Sequence, residues 1–283
     1  MNIVNTAQAE HWNTGDAVDH WVLNQDRYDR MNAPFAAMIL DAARLGSGAD
    51  VLDVGCGCGG TTLAAARLVA PGRAVGLDLS GPMLARATAR AEAAGLGNAE
   101  FRLGDAQVQP LEPGRFGTVL SRFGVMFFAD PVAAFANIRS AAQPAGRLVF
   151  VCWQPMAANQ WLRVPAGALA EHVPPGGFGP GDGPGMFALA DPDRIRQVLA
   201  GAGWRDVTVT AQQAPILVGG GGSVDEAVEF LRTATVGRTM LAGADPATAA
   251  RALASLQDTL ARHADAEGVR LGASVWLVQA AAS

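Results

Sequence analysis

Val51-Leu52-Asp53-Val54-Gly55-Cys56-Gly57-Cys58-Gly59-Gly60-Thr61-Thr62 is the stretch on which the fold turns. A short apolar run breaks into a glycine-rich turn. Thr61 to Leu68 then continues as a helix, closed by Pro71-Gly72. Gly55, Gly57 and Gly60 satisfy G-x-G-x-x-G between strand and helix, where the backbone must turn tightly and let a ligand lie against it. That pattern alone fits a dinucleotide as well as other adenosine ligands.

The same alternation recurs along the chain. Strands are predicted over 74–78, 101–105, 117–121 and 147–153, with helices over 81–94 and 131–142. Strands alternating with helices of ten to fifteen residues mean βαβ units and a parallel sheet. Its ligand cleft then lies at the carboxyl ends of the strands, beside the first one. Residues 154–172 read as helical and 174–185 as a glycine-proline loop. A helix capped by Asp191, a strand over 205–217, helices over 223–235 and 246–266 and a last strand over 269–281 complete the chain. The organisation expected is an N-terminal helical lid over 1–46, a Rossmann-like core over 47–153, an acceptor cap inserted over 154–190 and a C-terminal completion of the sheet over 191–283. The glycine-proline loop is expected to serve as a hinge of the cap.

Composition removes several alternatives. Of the 283 residues, 17% are charged and the net charge is -5, which argues against a nucleic-acid surface. All 21 basic residues are arginine, so Schiff-base, pyridoxal-phosphate and P-loop lysine chemistry is excluded. No apolar stretch reaches the roughly 18–20 residues of a membrane span, and the first residues lack a secretion signal. Three cysteines make no disulfide framework, and the cytoplasm is the expected setting. The oligomeric state, monomer or homodimer, stays open.

Asp53 separates the possible ligands. It stands two residues before the first glycine, where its charge would repel a pyrophosphate and attract a ligand bearing an ammonium and a sulfonium. This argues for S-adenosylmethionine. Asp78 ends the second predicted strand, where a carboxylate can accept both hydroxyls of a ribose. Asp105, after the third, can accept from an adenine amino group.

At these residues the chain resembles a family. Val51 to Gly59, Gly76-Leu77-Asp78-Leu79-Ser80 and Gly104-Asp105-Ala106 match the nucleotide-site motifs of class I S-adenosylmethionine-dependent methyltransferases. Arg27-Tyr28-Asp29-Arg30-Met31 and Phe123-Gly124-Val125-Met126-Phe127-Phe128 are similar to the branch containing the ubiquinone and menaquinone C-methyltransferases and natural-product enzymes. The resemblance covers about residues 20–153. It implies an α/β fold: a doubly wound, mostly parallel seven-stranded sheet with its last strand antiparallel. Carried over by position, it implies Asp53 and Gly55 near the methionine moiety, Asp78 at the ribose, Asp105 at the adenine and Ser121 beside the methionine end. Gly57, Gly59, Leu79, Met83, Ala106 and Tyr28 complete the implied cofactor contacts. The fourth strand runs into Ser121-Arg122-Phe123-Gly124 in place of Asn/Asp-Pro-Pro-Tyr, which speaks against DNA-base and protein-glutamine N-methylation.

The function implied is methyl transfer to an oxygen or carbon nucleophile of a small, largely apolar molecule (EC 2.1.1.-). Methyl transfer is an in-line displacement that loses charge at sulfur, so positioning supplies most of the acceleration and no metal is called for. A general base can add about 10²–10⁴-fold. His172, in the insertion, is the candidate base. Trp21, Phe123, Phe127, Trp153 and Trp161 are candidate walls of the acceptor pocket. Arg122 can bind an acidic acceptor or pair with a carboxylate. Cys56 and Cys58 are too close for the usual zinc spacing and have no second pair. Two other readings stay open: an S-adenosylmethionine binder repurposed for a non-methylating role, and an NAD-dependent oxidoreductase.

Overall fold

All four residues of β1 (Val51–Val54) are buried, and the strand has a parallel neighbour on each side. That explains its unbroken apolar pattern, because a central parallel strand is covered on both faces. The computed structural model describes residues 2–174, 179 and 183–282. Four helices precede β1: α1 (Thr6–His11), α2 (Asp16–Leu23), α3 (Gln25–Met31) and α4 (Ala33–Ala43). The core continues through α5 (Gly60–Val69), β2 (Ala74–Asp78), α6 (Gly81–Ala93), β3 (Ala99–Leu103), β4 (Phe116–Arg122), α7 (Pro131–Ala141) and β5 (Ala142–Trp153). Then come α8 (Gln160–Ala170), α9 (Pro192–Gly201), β6 (Arg205–Leu217), α10 (Val224–Thr233), α11 (Thr235–Leu241), α12 (Pro246–Ala261), β7 (Ala264–Asp265) and β8 (Gly268–Ala281).

The main strands run in the order β3-β2-β1-β4-β5-β8-β6. All pairings from β3 to β5 are parallel, and β8 is antiparallel to both β5 and β6. The mostly parallel sheet with an antiparallel last strand is therefore as expected. The two-residue β7 pairs with β8 as an eighth strand.

Local chemistry sets several helix starts. Ser80 accepts from the Met83 amide at the start of α6, Asp130 from Ala133 at α7, and Asp245 from Ala247 and Thr248 at α12. Each of these helices has a proline in its first turn, where no backbone donor is needed. Phe35 and Ile39, one turn apart on α4, are wholly buried and meet β4 and β5. Phe116, Phe135, Phe150, Leu52, Leu77 and Leu120 fill the space around the sheet.

The strand order reverses between β1 and β4, so the loops leaving their carboxyl ends diverge there and open a crevice. The glycine-proline loop expected over 174–185 lies largely outside the described residues. Of the predicted 154–172 helix, the first turn is a separate 3-10 turn at Met156–Ala158. No helix among the described residues is long and apolar enough to cross a membrane.

Candidate active site

The crevice is a cavity of about 390 Å³ that joins two chemically different halves. One half is the glycine loop and the acids at the strand ends; the other is walled by aromatic side chains.

Gly55, Gly57 and Gly59 all have positive φ, at 69°, 52° and 80°, but each serves a different contact. A Cβ on Gly55 would lie 2.5 Å from the Gly124 Cα. A Cβ on Gly124 would lie 2.6 Å from the Val54 carbonyl oxygen. The turns after β1 and β4 thus touch backbone to backbone. Gly124→Ala should cost about 3 kcal/mol by overpacking. A melting-temperature drop of roughly 6–12 °C is the expected reading, and an unchanged melting temperature would refute the close approach. A Cβ on Gly59 would meet Ala87 and Phe101 at 2.9 Å, so Gly59 seats the loop against α6 and β3 and does not line the cavity. Only Gly57 faces open space, with Met83 Sδ 3.6 Å from its would-be Cβ.

Asp53 is buried, with 1% of its surface exposed. Its Oδ2 accepts from the Thr62 hydroxyl at 2.6 Å, while Oδ1 has no partner among the described residues. Burial pushes its carboxyl up to about 6, against the opposing pull of the Thr62 hydrogen bond and Arg122. Asp78 accepts from the Gly57 amide on Oδ2 at 2.7 Å and from the Ser80 amide on Oδ1 at 2.9 Å. Burial raises its pKa as well, and those backbone donors oppose the rise. Each Asp78 oxygen keeps a second lone pair for a ligand hydroxyl.

The aromatic half contains two stacked pairs. Trp21 lies over Tyr28 with ring centroids 3.6 Å apart and planes 7° from parallel. Phe123 lies over Trp153 at 4.0 Å and 8°. Phe123 holds a positive φ of 65°, uncommon for a bulky residue, in the turn after β4. Phe127, Trp161 and Met186 also face the cavity.

Asp53, Gly55, Gly57, Asp78, Leu79, Met83, Asp105, Ala106 and Tyr28 all line this cavity, as do Trp21, Phe123, Phe127, Trp153 and Trp161. Three expected residues do not. Ser121 is fully buried; its hydroxyl donates to the Val54 carbonyl and accepts from the Gly124 amide, tying the two strand ends together. Gly59 packs against the sheet, as above. His172 sits at the end of α8 beside Glu171, Arg251 and Ser255, in a separate groove against α12. It is not among the residues lining the cavity, and no contact among the described residues supports the catalytic role expected for it.

Other lining residues were not placed in the site by the sequence, although His11 was, with His20, His172 and His263, a candidate titrating side chain. His11 is the histidine that faces the cavity, with its pKa lowered by partial burial and by Arg238. Gln25 donates to Asp29 at 2.6 Å and leaves its own Oε1 buried without a partner. Asp29 also pairs with Arg90 at 2.6 Å and, more loosely, with Arg122 at 3.4 Å. Asp29 belongs to the Arg27-Tyr28-Asp29-Arg30 run, whose resemblance was the one signal that could have found it. The Cys56 thiol is held well above its usual value and Cys58 is pushed up to about 12, in both cases chiefly by burial, so both stay protonated thiols. No His, Cys, Asp or Glu cluster suited to a metal exists among the described residues.

Residues 51–146 match a family described as a methyltransferase domain. Nocamycin O-methyltransferase of Saccharothrix syringae is 33% identical over 146 residues, which are 50% of this chain and 52% of that protein. Aklanonic acid methyltransferase DauC of a Streptomyces species is 28% identical over 52% of this chain and 72% of its own. This chain spans about half the length of most of the curated relatives it matches. Among solved structures, the YcgJ protein of Bacillus subtilis superposes with a TM-score of 0.56 at 16% identity, over 88% of this chain and 98% of that one. The sheet order and the glycine loop frame the matched segment, and residues 51–146 of this chain carry a methyltransferase domain.

Proposed function

We propose that the chain transfers a methyl group from S-adenosylmethionine to an oxygen or carbon nucleophile of a small, flat, largely apolar acceptor. The observation that carries this reading is the joining, in one cavity, of an acid-lined glycine loop to two parallel aromatic stacks.

The residues present fit the cofactor. Asp53 Oδ1 and Gln25 Oε1 are buried acceptors with no donor among the described residues, which suits an ammonium and a neighbouring sulfonium. Gly57 leaves room for a ligand against its backbone, and Asp78 retains acceptor capacity for ribose hydroxyls. When bound, S-adenosylmethionine supplies an electrophilic methyl on a charged sulfur. Everything else is positioning by the chain. Trp21–Tyr28 and Phe123–Trp153 offer flat apolar faces that hold a planar acceptor and exclude water. His11, held neutral near pH 7, is the imidazole available to take a proton from an acceptor hydroxyl. Arg122, loosely paired with Asp29, is placed to favour the acceptor's anionic form. A cytoplasmic setting and a natural-product acceptor complete the reading. They draw support from the free cysteines and from the acceptors named for the two relatives.

Radiolabelled S-adenosylmethionine offered with polycyclic phenols, 1,3-dicarbonyl compounds and aliphatic alcohols tests it. Label should move to flat acceptors only, and Trp21→Ala should raise the acceptor KM roughly tenfold by removing one stacked face. Its affinity for S-adenosylhomocysteine should stay within about twofold. Equal labelling of aliphatic acceptors would overturn the aromatic compartment.

A further inference from the structure

Asp105 lines the cavity where the nucleoside end of the cofactor would lie, yet its carboxylate is already full. Oδ2 accepts from the backbone amides of Val4 and Asn5, both at 3.0 Å. Oδ1 accepts from Asn5 Nδ2 at 2.7 Å and from the Gln107 amide at 3.0 Å. A carboxylate offers about four lone-pair sites, and four protein donors occupy them. An adenine amino group could reach Asp105 only by displacing one.

Three of the four donors come from Val4 and Asn5. Asn5 precedes α1, where an asparagine would ordinarily cap the helix. It makes no such cap. Its side chain instead binds Asp105 and Gln107, and accepts from the Ala129 amide at 2.6 Å. At the far end of α1, the Ser80 hydroxyl donates to the Trp12 carbonyl at 2.5 Å. Asn13 accepts from the Gly81 amide and donates to the Leu79 carbonyl, both at 2.9 Å. Residues 5–13 therefore bridge from the loop after β3 to the loop after β2, and Asn5, Gln8, His11 and Trp12 form a wall of the cavity.

This segment is held by its ends. No residue of α1 is buried, and the apolar hold on the segment is Trp12, edge-on to Trp21 and Phe127 with ring centroids 6.0 Å apart in each pair. Gly15, with φ at 78° and open space around its would-be Cβ, joins it to α2, which does have buried residues. Polar pins at both ends and a glycine joint behind describe an element that can open as a unit.

We propose that Asp105 and Asn5 form the latch of an N-terminal strap closing over the nucleoside end of the cofactor site. Asp105 holds the strap and does not read the adenine amino group, and cofactor exchange requires unlatching. This rests on the S-adenosylmethionine reading above.

Stopped-flow tryptophan fluorescence with S-adenosylhomocysteine on the full chain tests the latch. Asn5→Ala should raise both association and dissociation rates roughly tenfold or more, because charge-assisted hydrogen bonds are lost from the closed state. The dissociation constant should change less than either rate. Amide hydrogen exchange over residues 4–13 of the free protein should quicken in the same variant. Asp105→Asn should leave unchanged the ratio of affinities for S-adenosylhomocysteine and its inosine analogue, which carries an oxo group for the amino group. Unaltered exchange rates in Asn5→Ala would overturn the latch, as would collapse of that ratio in Asp105→Asn. If wild type bound no S-adenosylhomocysteine, the cofactor reading would fail. Hydrogen exchange would still decide the latch, since unchanged protection in Asn5→Ala would refute it.

Discussion

Gly57→Val is expected to weaken S-adenosylhomocysteine binding about a hundredfold or more while the protein stays folded. Gly57 is the one glycine of the three whose missing Cβ points to open cavity, with only Met83 Sδ 3.6 Å away. An isopropyl group there takes ligand volume and crowds the amide that donates to Asp78 Oδ2 at 2.7 Å. A hundredfold loss corresponds to about 2.7 kcal/mol, which one displaced ligand face readily supplies. The fold pays less. A β-branched residue at φ 52° is strained by about 1–2 kcal/mol. That lowers the melting temperature by roughly 2–4 °C per kcal/mol. Gly59→Ala should show the reverse, since its Cβ would strike Ala87 and Phe101 at 2.9 Å and cost stability. Calorimetric titration beside a thermal melt separates the two. Wild-type affinity in a folded Gly57→Val protein would show that the loop is not the cofactor wall.

That contrast marks the limit of what the sequence made legible. The strand–glycine–helix signature identified β1, the loop and α5, because tight turns and buried parallel strands each leave a local pattern. It could not assign the glycines their separate roles, since the partner of Gly55 is Gly124, far along the chain. Nor could it show that the Ser121 hydroxyl serves Val54 across the sheet. β3 was expected over 101–105 and runs Ala99–Leu103. It pairs with β2 alone, at the edge of the sheet, so its half-exposed side chains weaken the apolar signal. Asp105 consequently follows the strand in a loop, where the chain's own first residues reach it.

Histidines and small polar residues were the least legible of all. His172 lay in the segment expected to cover the acceptor, but α8 packs against α12 and carries it outward. His11 lay in a short polar helix with no apolar stripe to announce a buried side, and it faces the cavity. Gln25 and Asp29 are one helical turn apart, and their hydrogen bond at 2.6 Å is a local event. What places them in the site is Arg90, from α6, which no spacing rule connects to α3.

Cofactor affinity is expected to rise as pH is raised from about 5 to 7, by up to roughly tenfold, through Asp53 alone. In the free protein, burial holds this carboxyl at about 6, above its ordinary 3.8. A raised folded-state value favours the protonated form. The stabilisation it gives the ligand-free fold is therefore complete below about pH 4 and disappears as pH climbs through 6. The rise from 3.8 to about 6 amounts to about 3 kcal/mol across that window. An ammonium and a sulfonium beside the unpartnered Oδ1 would favour the carboxylate and bring its pKa back down. Binding at pH 6 should then release about half a proton, read as a difference in titration heat between buffers of unlike ionisation enthalpy. Asp53→Asn retains an acceptor for the Thr62 hydroxyl but cannot ionise. Its affinity for S-adenosylmethionine should be low and flat with pH, and its thermal stability should lose the wild-type decline between about pH 4 and 7. A wild-type affinity equally flat over that range would mean that the cofactor's positive charge does not lie at Asp53.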